Sequence, residues 1–504
     1  MLGSRAEVKP FPRLADFYHG KNVFLTGATG FVGSVLLEIL LRCCPDIKSI
    51  YILLRSKKNA QPKARKEHIF NKKIFEKLKE ETPEFLDKVH VIPGDVSLPN
   101  LGMNGGDTQL LLEEVSVVFH CAAVLNFTKP LEFMLINNVV SLNCVIELCK
   151  KMRKFEALVY TSTAYSNANH NNFSLKEEVY RLPFRAEKFL DALKNEDDEK
   201  LQELVTHCKP DWPNTYTFSK CLAENVIMDT APNLPVAIIR PSIVYSTWKH
   251  PIRGYIEENS GITALSLGAG KGFIKVLYGD PNCKLNLVPA DIVANAHVIA
   301  AWSVGTKRCV SPLVVNCTAT EKLQVKLSEY NETMTELTLK YPLPLSFEQN
   351  TNLIIVPYKA LYYIVAAYQH YLLAIVLDGI KKILGKKPRV YSLYRFYDTV
   401  MGSLNFFLFH CFEFERKNLE YLDKLIQPED RKDLTLDFRD ATILEMSLAL
   451  PEVSPFYDWK IDRKSQSERQ MIKYKRHMLI NCFRGMFLMT CCLLIYWVFS
   501  LIFL

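Results

Sequence analysis

Short apolar runs alternate with longer, helix-like apolar stretches along the first half of the chain. The run at 22–26 is rich in β-forming residues and ends at a glycine, and the stretch 34–42 carries apolar residues on most helical faces. A buried strand, a glycine turn and a buried helix form the opening unit of a doubly wound α/β sheet. Further apolar runs predict the next strands, at 49–54, 89–96, 115–123, 157–161 and 236–239.

The C-terminal residues 485–504 are uncharged and mostly apolar. At about 1.5 Å rise per residue, a helix of this length spans a hydrocarbon core of ~30 Å. Basic residues precede it, and positive charge marks the cytoplasmic side of a membrane segment. We therefore predict a single-pass tail anchor, with a buried core helix as the alternative. The basic residues are Arg463, Lys464, Arg469, Lys473, Lys475 and Arg476.

A second apolar stretch, 353–377, is long enough to span a membrane but carries Gln369 and His370 in its middle. Its many aromatic residues and the lysines that follow favour a helix lying at the membrane surface. A second span and an apolar helix that covers a binding site remain open. The lysines are Lys381, Lys382, Lys386 and Lys387.

The composition narrows the range of partners. A net charge of +8 suits anionic partners, such as a phosphorylated cofactor, coenzyme A or a membrane surface. The sequence shows no basic and aromatic module of the kind that recognises nucleic acid. The 14 cysteines form no CxxC pair and no ordered Cys/His spacing, so no metal site is predicted. Cysteines within apolar runs indicate a reduced, cytosolic compartment.

The glycine turn after the first predicted strand is the candidate cofactor site. Gly27 permits a tight turn, Gly30 lets the backbone approach phosphates, and Gly33 allows the helix to pack closely on the strand. The helix N-terminus attracts the pyrophosphate. A glycine-rich turn without a ligand is the alternative. The residues predicted to contact the cofactor are Thr26, Gly27, Thr29, Gly30, Phe31, Val32, Gly33, Asp95, Val96, Ala122, Ala123, Lys220, Pro241 and Ile243.

Arg55 follows the second predicted strand, where an acidic residue would hold a ribose 2′-hydroxyl. Arginine at this position accommodates a 2′-phosphate instead. The sequence therefore predicts NADPH as the cofactor, and a solvated basic loop is the alternative.

Tyr216 and Lys220 lie four residues apart, so a helix places both side chains on one face. A free tyrosine has a pKa near 10, and a nearby ammonium is expected to lower it. The strand at 157–161 delivers Ser162 and Thr163 at its carboxyl end, where a hydroxyl would hold a substrate carbonyl. These residues predict a reductase site in which Tyr216 donates a proton. Asn138 is predicted to anchor a water that links Lys220 to solvent, or to be structural.

Five motifs in this order resemble the animal fatty acyl-CoA reductases: TGATGFVG, HCAA, Ser-Thr-Ala-Tyr, YTFSK and RPSIV. The resemblance implies NADPH-dependent reduction of a long-chain acyl-CoA to a primary alcohol, through an aldehyde and with release of coenzyme A. It assigns the catalytic tyrosine and lysine to Tyr216 and Lys220, and the Ser/Thr position to Thr163, with Ser162 as the alternative. Tyr245 departs from the glycine usual in relatives, which would narrow the site near the nicotinamide.

Together, pattern and resemblance predict a Rossmann-type doubly wound parallel sheet of α/β class within a catalytic domain at 1–350. Its helical substrate lobe would occupy 167–211 and 245–350. A small helical, membrane-associated domain at 351–477 and a transmembrane segment at 478–504 would follow, with the catalytic part in the cytosol at the endoplasmic reticulum or peroxisome. A reductase of a sterol or other small carbonyl and a non-catalytic membrane tether are the competing functions. Chain-length preference and oligomeric state have no signal in the sequence.

Overall fold

The computed structural model describes residues 11–56, 62–170, 173–208, 212–257, 261–307, 311–341, 343 and 353–453, with isolated positions between 471 and 489. The chain divides into two compact units. Unit 1 comprises 1–256, 283–325 and 396–446, and unit 2 comprises 257–282, 326–395 and 447–504.

The strands have the following bounds: β1 Asn22–Thr26, β2 Ser49–Leu54, β3 Val89–Pro93, β4 Val117–His120, β5 Ala157–Thr161, β6 Ser174–Leu175, β7 Val236–Pro241, β8 Ile243–Tyr245, β9 Val276–Tyr278, β10 Lys284–Pro289, β11 Leu313–Cys317, β12 Gln324–Lys326, β13 Ile354–Val356 and β14 Glu413–Phe414.

The α-helices have the following bounds: α1 Leu14–Tyr18, α2 Phe31–Cys43, α3 Pro62–Phe70, α4 Glu76–Glu81, α5 Gly105–Glu114, α6 Leu131–Leu135, α7 Ser141–Lys151, α8 Ala186–Lys194, α9 Asp198–Cys208, α10 Thr215–Thr230, α11 Gly261–Gly270, α12 Ala290–Lys307, α13 Leu327–Lys340, α14 Lys359–Ala366, α15 Leu372–Ile383, α16 Val390–Leu404, α17 Lys417–Leu425, α18 Ile443–Leu448 and α19 Leu450–Val453. Single π-helical turns join α6 to α7 and α14 to α15.

Unit 1 is built on a seven-stranded parallel sheet with the strand order β11-β7-β5-β4-β1-β2-β3. The order reverses between β1 and β4, which is where sheets of this kind bind ligands, beyond the carboxyl ends of the strands. The predicted doubly wound α/β sheet is therefore confirmed. Each strand run predicted from the apolar pattern coincides with one of the sheet strands.

The apolar pattern explains why these segments lie at the centre of the unit. Every residue of β1 and β2 is buried, as expected for parallel strands covered on both faces. Helix α2 buries residues on most of its faces, and α12 is buried along nearly its whole length. Neither helix therefore shows the one-sided apolar pattern of a surface helix.

The insertion between β5 and α10 contains the two helices α8 and α9. Phe189 of α8 packs edge-on against Phe218 of α10, with ring centroids 6.1 Å apart. Leu204 and Val205 of α9 are buried in the same apolar cluster. The insertion is thus part of the hydrophobic core that supports α10.

Residues 396–446, which follow the predicted boundary at residue 350, group with unit 1. Strand β14 pairs with β6 in parallel, and the Asn418 amide donates to the carbonyl of Val314 in β11 at 2.8 Å. The Glu177 carboxylate accepts from the backbone N–H groups of Asn316 and Asn418. Burial raises the pKa of Glu177 to about 7. These pairings join residues hundreds of positions apart, which local sequence patterns do not encode.

Unit 2 contains the parallel pair β9–β13, helices α11 and α13, and the long helix formed by α14, the π-turn and α15. The backbone N–H of Lys275 donates to His370 Nε2 of the long helix at 2.9 Å. His370 also stacks on Tyr394 with ring centroids 4.5 Å apart. The polar residue that interrupts the apolar stretch therefore faces the interior of unit 2.

Two helices among the described residues are long and apolar enough to cross a membrane, 131–151 and 359–383. Half of the apolar window is buried in the first and 28% in the second. The first is a core helix of unit 1. The predicted transmembrane tail at 478–504 lies outside the described residues, apart from isolated positions.

A fully buried ion pair ties α10 to the sheet. Arg240 of β7 donates to both carboxylate oxygens of Glu224 on α10, at 2.9 and 2.5 Å, and both side chains are 1% exposed. Ser162, just after β5, donates to Glu224 Oε1 at 2.5 Å. The Arg240 guanidinium also donates to the carbonyls of Lys176 and Glu178. The Glu224–Arg240 pair thus connects α10 with the ends of β5 and β7, and Arg240 extends the connection to the start of the insertion.

We expect Glu224→Ala to lower the free energy of unfolding by roughly 3–5 kcal/mol, because it leaves a buried guanidinium without its partner. The matched control is Glu187→Ala, which removes an exposed ion pair with Arg185 and should cost less than about 1 kcal/mol. Chemical denaturation of both variants beside the wild type measures the difference. Equal losses in the two variants would contradict the importance assigned to the buried pair.

Candidate functional site

The glycine turn packs against the carboxyl end of β4. Gly27 has a φ of +83°, and a Cβ placed there would lie 2.6 Å from the backbone nitrogen of Ala122. A Cβ on Gly33 would lie 2.1 Å from the carbonyl oxygen of Gly27. Both positions therefore require glycine on steric grounds. A Cβ on Gly30 would meet no protein atom closer than 3.4 Å. The space beside Gly30 is therefore open, at the position where the protein backbone is predicted to approach the cofactor phosphates.

Helix α2 begins directly at this turn, and no side chain caps its N-terminus. Its first N–H groups are therefore available to an anion, which is the arrangement that binds a pyrophosphate. Thr29 lies in the turn, and Phe31 and Val32 are the first two residues of α2. The cradle formed by the three glycines and the helix end fits a dinucleotide.

A hydrogen-bonded link joins the ends of β1 and β4 behind the turn. Thr26 Oγ1 lies 2.8 Å from His120 Nδ1 and accepts from the backbone N–H of Ala122 at 3.3 Å. Burial, with a contribution from the charge of Lys220, lowers the pKa of His120 to about 3. His120 is therefore neutral and positions the strand ends. Ala123 follows as a small, half-buried residue at the same edge.

Arg55 lies exposed at the end of β2 and has a neighbour that the sequence analysis did not identify. The guanidinium of Arg65 on α3 donates to the backbone carbonyl of Arg55 at 2.6 Å. Burial lowers the pKa of Arg65, the charge of Arg55 lowers it further, and Asp95 raises it. Two guanidinium groups and a carboxylate thus lie close together here. Only the long-range packing of α3 reveals Arg65.

Asp95, one of the predicted cofactor contacts, accepts hydrogen bonds from the backbone N–H and the hydroxyl of Ser97, at 3.0 and 2.9 Å. One of its oxygens therefore stabilises the turn after β3. Val96 packs against the apolar cluster of unit 1.

Tyr216 and Lys220 lie on the first turns of α10, whose N-terminus is capped by the side chain of Asn214. Both side chains are buried. The Tyr216 ring packs edge-on against Phe127, and its phenol is hydrogen-bonded to the side chain of Thr163. The structure thus brings Tyr216 and Thr163 together.

The expected lowering of the Tyr216 pKa is not found. Burial raises this pKa well above 10, and the hydrogen bond from Thr163 offsets only part of the increase. The Lys220 ammonium points elsewhere, because Nζ donates to the carbonyl of Thr161 at 2.7 Å and to the hydroxyl of Tyr160 at 3.2 Å. The prediction was wrong because desolvation exceeds the effect of a charge that is directed at other partners.

Lys220 is itself strongly perturbed. Burial lowers its pKa to about 7, against the opposing effects of Cys121 and Glu224. Its Nζ also lies 4.7 Å from the centroid of the Tyr160 ring. Tyr160 is a second residue that the sequence motifs did not identify, although its place on β5, directly before Thr161, follows from the strand pattern. At neutral pH, Lys220 is therefore poised between its charged and neutral forms.

The two hydroxyl candidates have different partners. Thr163 bonds to Tyr216, whereas the Ser162 hydroxyl is committed to Glu224. Asn138, in the π-turn before α7, accepts from the N–H of Val124 at 2.8 Å and donates to the hydroxyl of Ser219 on α10 at 3.0 Å. In this structure Asn138 thus contacts the neighbour of Lys220 rather than Lys220 itself.

The segment after β7 runs along the same edge of the sheet. The carbonyl of Pro241 accepts from the N–H of Ala164 at 2.8 Å, and Ile243 is half-buried at the start of β8. Tyr245 is fully buried and pairs with Pro289 of β10. Among the described residues, no group of three or more His, Cys, Asp or Glu side chains is arranged to hold a metal ion.

Solved reductase domains share this fold. The reductase domain of a non-ribosomal peptide synthetase from Mycobacterium tuberculosis is similar with a TM-score of 0.56 at 17% identity, covering 88% of this chain and 92% of that domain. The terminal reductase domain of the myxalamid biosynthetic pathway gives a TM-score of 0.53 at 19% identity, covering 86% and 90%. At these identities the likeness establishes the fold alone.

Sequence comparison identifies the family. An NAD-binding family described as "male sterility protein" matches residues 25–297, and a second family of the same description matches 369–445. Fatty acyl-CoA reductase 1 of Xenopus laevis is 34% identical over 427 residues, covering 84% of this chain and 82% of the relative. The human protein of the same name is 33% identical with the same coverage. The Drosophila melanogaster fatty acyl-CoA reductase wat is 33% identical over 435 residues, covering 86% and 83%. The chain therefore belongs to the fatty acyl-CoA reductase family.

Proposed function

We propose that this protein reduces a long-chain acyl-CoA to a primary alcohol with NADPH as the hydride donor. The observation that carries the proposal is the buried Tyr216–Thr163 pair, which lies on the same sheet edge as the glycine turn. The relatives are named fatty acyl-CoA reductases. A nicotinamide dinucleotide fits the steric cradle of Gly27, Gly30 and Gly33.

The buried residues suit a carbonyl reduction. Because burial keeps the pKa of Tyr216 well above 10, its phenol stays protonated at neutral pH and serves as the proton donor to a carbonyl oxygen. Thr163 holds that oxygen from a second direction. Two NADPH molecules, bound one after the other, would each supply one hydride: the first to the thioester, with release of coenzyme A as the thiol, and the second to the resulting aldehyde. To stabilise the Tyr216 phenolate that each proton transfer leaves, the charged Lys220 ammonium would have to turn from its present partners, the Tyr160 hydroxyl and the Thr161 carbonyl.

Arg55 and Arg65 support the choice of NADPH over NADH. A guanidinium binds phosphate in a planar, two-pronged geometry, and these two flank the end of β2, where the 2′ position of the adenosine ribose lies in this fold. We assign the 2′-phosphate to this pair.

The membrane location belongs to the same proposal. The apolar, uncharged sequence at 485–504 and the basic residues before it support a single-pass tail that keeps the catalytic unit in the cytosol. Such a tail fits either the endoplasmic reticulum or the peroxisome. A substrate with a long acyl chain suits an enzyme held at a lipid surface.

The decisive experiment follows NADPH consumption with a series of acyl-CoA chain lengths and identifies the products by mass. We expect Tyr216→Phe to lose roughly 10²–10⁴ in kcat while it keeps its affinity for NADPH, because only the proton donor is removed. Tyr421→Phe, at a 37% exposed position, is the matched control and should retain activity. Turnover of a sterol or nucleotide sugar without turnover of any acyl-CoA would overturn the proposal.

For the cofactor, we expect Arg55→Ala and Arg65→Ala each to weaken NADPH binding by roughly 10- to 100-fold, the loss expected for a hydrogen bond to a charged group. Binding of NADH should change little, because it lacks the 2′-phosphate. Isothermal titration of both cofactors gives the two dissociation constants, with exposed Arg153→Ala as the control. Equal losses of affinity for NADPH and NADH would show that Arg55 and Arg65 do not bind the 2′-phosphate.

The pKa of Lys220 predicts a pH dependence. Since Lys220 carries its proton below about pH 7 and loses it above, kcat/KM for NADPH should fall as the pH rises through this region. In Lys220→Arg the charge is permanent, so the falling limb should disappear even if the rate is lower. Lys151→Arg, at an exposed position of α7, should leave the limb unchanged. A limb that persists in Lys220→Arg would assign the titration to another group.

A further inference from the structure

The long helix of unit 2 at 359–383 is fixed to its own unit by one face. His370 is fully buried, accepts from the backbone N–H of Lys275 and stacks on Tyr394. The residues that share this face recur at helical spacing and are buried with it. They are Tyr362, Ala366, His370, Leu373 and Ala374.

The opposite side of the same helix is apolar and exposed. Leu361 is 46% exposed, Ile364 68%, Ile375 59% and Ile383 86%. Their spacing places them on one stripe, on the far side of the helix from His370. Soluble proteins seldom expose a continuous row of large aliphatic side chains, and such a row marks an interaction surface. We call these four residues the aliphatic stripe.

The stripe ends in a basic cluster. Lys381 and Lys382 lie in the last turn of α15, and Lys386, Lys387 and Arg389 are exposed just beyond it. The one acidic side chain among residues 359–389 is Asp378. Its carboxylate accepts from the backbone N–H groups of Arg389, Val390 and Tyr391, and it forms an ion pair with Lys381 at 4.0 Å. One carboxylate therefore faces five cations, and the cluster keeps a net positive charge.

Aliphatic side chains beside clustered lysines match one kind of partner. An anionic phospholipid surface offers phosphates to the cations and acyl chains to the stripe. A protein partner would have to supply both an apolar groove and several acidic groups. The charge pattern therefore favours the lipid surface.

The buried face decides against a transmembrane orientation. A spanning helix needs every lipid-facing side to be apolar, and its polar groups need partners inside the protein. Here one side already packs within unit 2, and His370 at mid-helix is held by a backbone N–H of that unit. The aliphatic stripe is therefore the side of the helix that meets lipid. Because the stripe runs along the length of the helix, its contact with lipid places the helix parallel to the membrane surface.

We propose that the aliphatic stripe and its basic cluster dock unit 2 on an anionic membrane surface, with the helix at 359–383 lying in the interfacial plane. The stripe enters the acyl boundary to a shallow depth. Lys381, Lys382, Lys386 and Lys387 contact lipid phosphates. This docking is independent of the catalytic step.

The test uses the full-length chain bound to phosphatidylcholine vesicles that contain phosphatidylserine. Ile375→Trp places a fluorophore on the stripe, and lipids brominated near the carbonyl or near the terminal methyl report its depth. We expect the added fluorescence, relative to the wild type, to be quenched strongly by the shallow bromine and weakly by the deep one. Leu98→Trp, at a 52% exposed apolar position of unit 1, is the matched control and should not be quenched by either lipid.

Strongest quenching by the deep bromine would show that the helix spans the bilayer and would overturn the proposal. Absence of quenching at position 375 would also overturn the proposal. It would indicate that another segment of the chain or a second copy of the protein covers the stripe. Replacing Lys381, Lys382, Lys386 and Lys387 by Gln should reduce the shallow quenching on phosphatidylserine vesicles to the level on pure phosphatidylcholine. Unchanged quenching would refute the role of the lysines. No substrate is present, so the result is independent of whether acyl-CoA is reduced.

Discussion

The placement of the catalytic residues depends on the buried pair between Glu224 and Arg240. It fixes the register of α10 against β7, and through Ser162 it also fixes the end of β5. Buried ion pairs add little net stability compared with apolar packing, because both charges must be desolvated. Their breakage is costly, however, so any sliding of α10 along the sheet is penalised. Tyr216 and Lys220 are thereby held at the sheet edge where Thr163 emerges.

Desolvation then determines the electrostatics of the site. It raises the pKa of Tyr216, lowers that of Lys220 to about 7, and lowers that of His120 to about 3. All three shifts favour the neutral form, as expected for groups removed from water. The permanent charges, Arg55 and Arg65, lie instead at the end of β2. The proposed cofactor, NADPH, would thus meet fixed positive charge at one end of its site and a neutral, proton-donating pocket at the other.

Much of the fold and part of the site could be predicted from local patterns. The strands of the sheet follow from apolar runs, since fully buried parallel strands have no polar face. The Tyr216–Lys220 spacing and the close contact of Gly33 with Gly27 have short-range causes, whereas the contact of Gly27 with Ala122 comes from the packing of β4 beside β1. Arg65, Tyr160 and Glu224 could not be assigned in this way, because their partners are 10, 60 and 16 residues away and belong to other elements. The direction of the Tyr216 pKa shift was missed for the same reason, since burial is a property of the packed unit.

The sequence by itself determined the elements, the glycine turn, the catalytic spacing and the family, because each depends on residues close together in the chain or on motif order. Only the tertiary structure decided how the later chain is shared between the units: residues 396–446 complete the sheet unit through β14 and Asn418, while 359–383 packs in unit 2. The tertiary structure also determined which face of that helix is buried and which is exposed. An apolar stretch with His370 in its middle has no defined orientation until Lys275 and Tyr394 bind the histidine, and the remaining face then points outward.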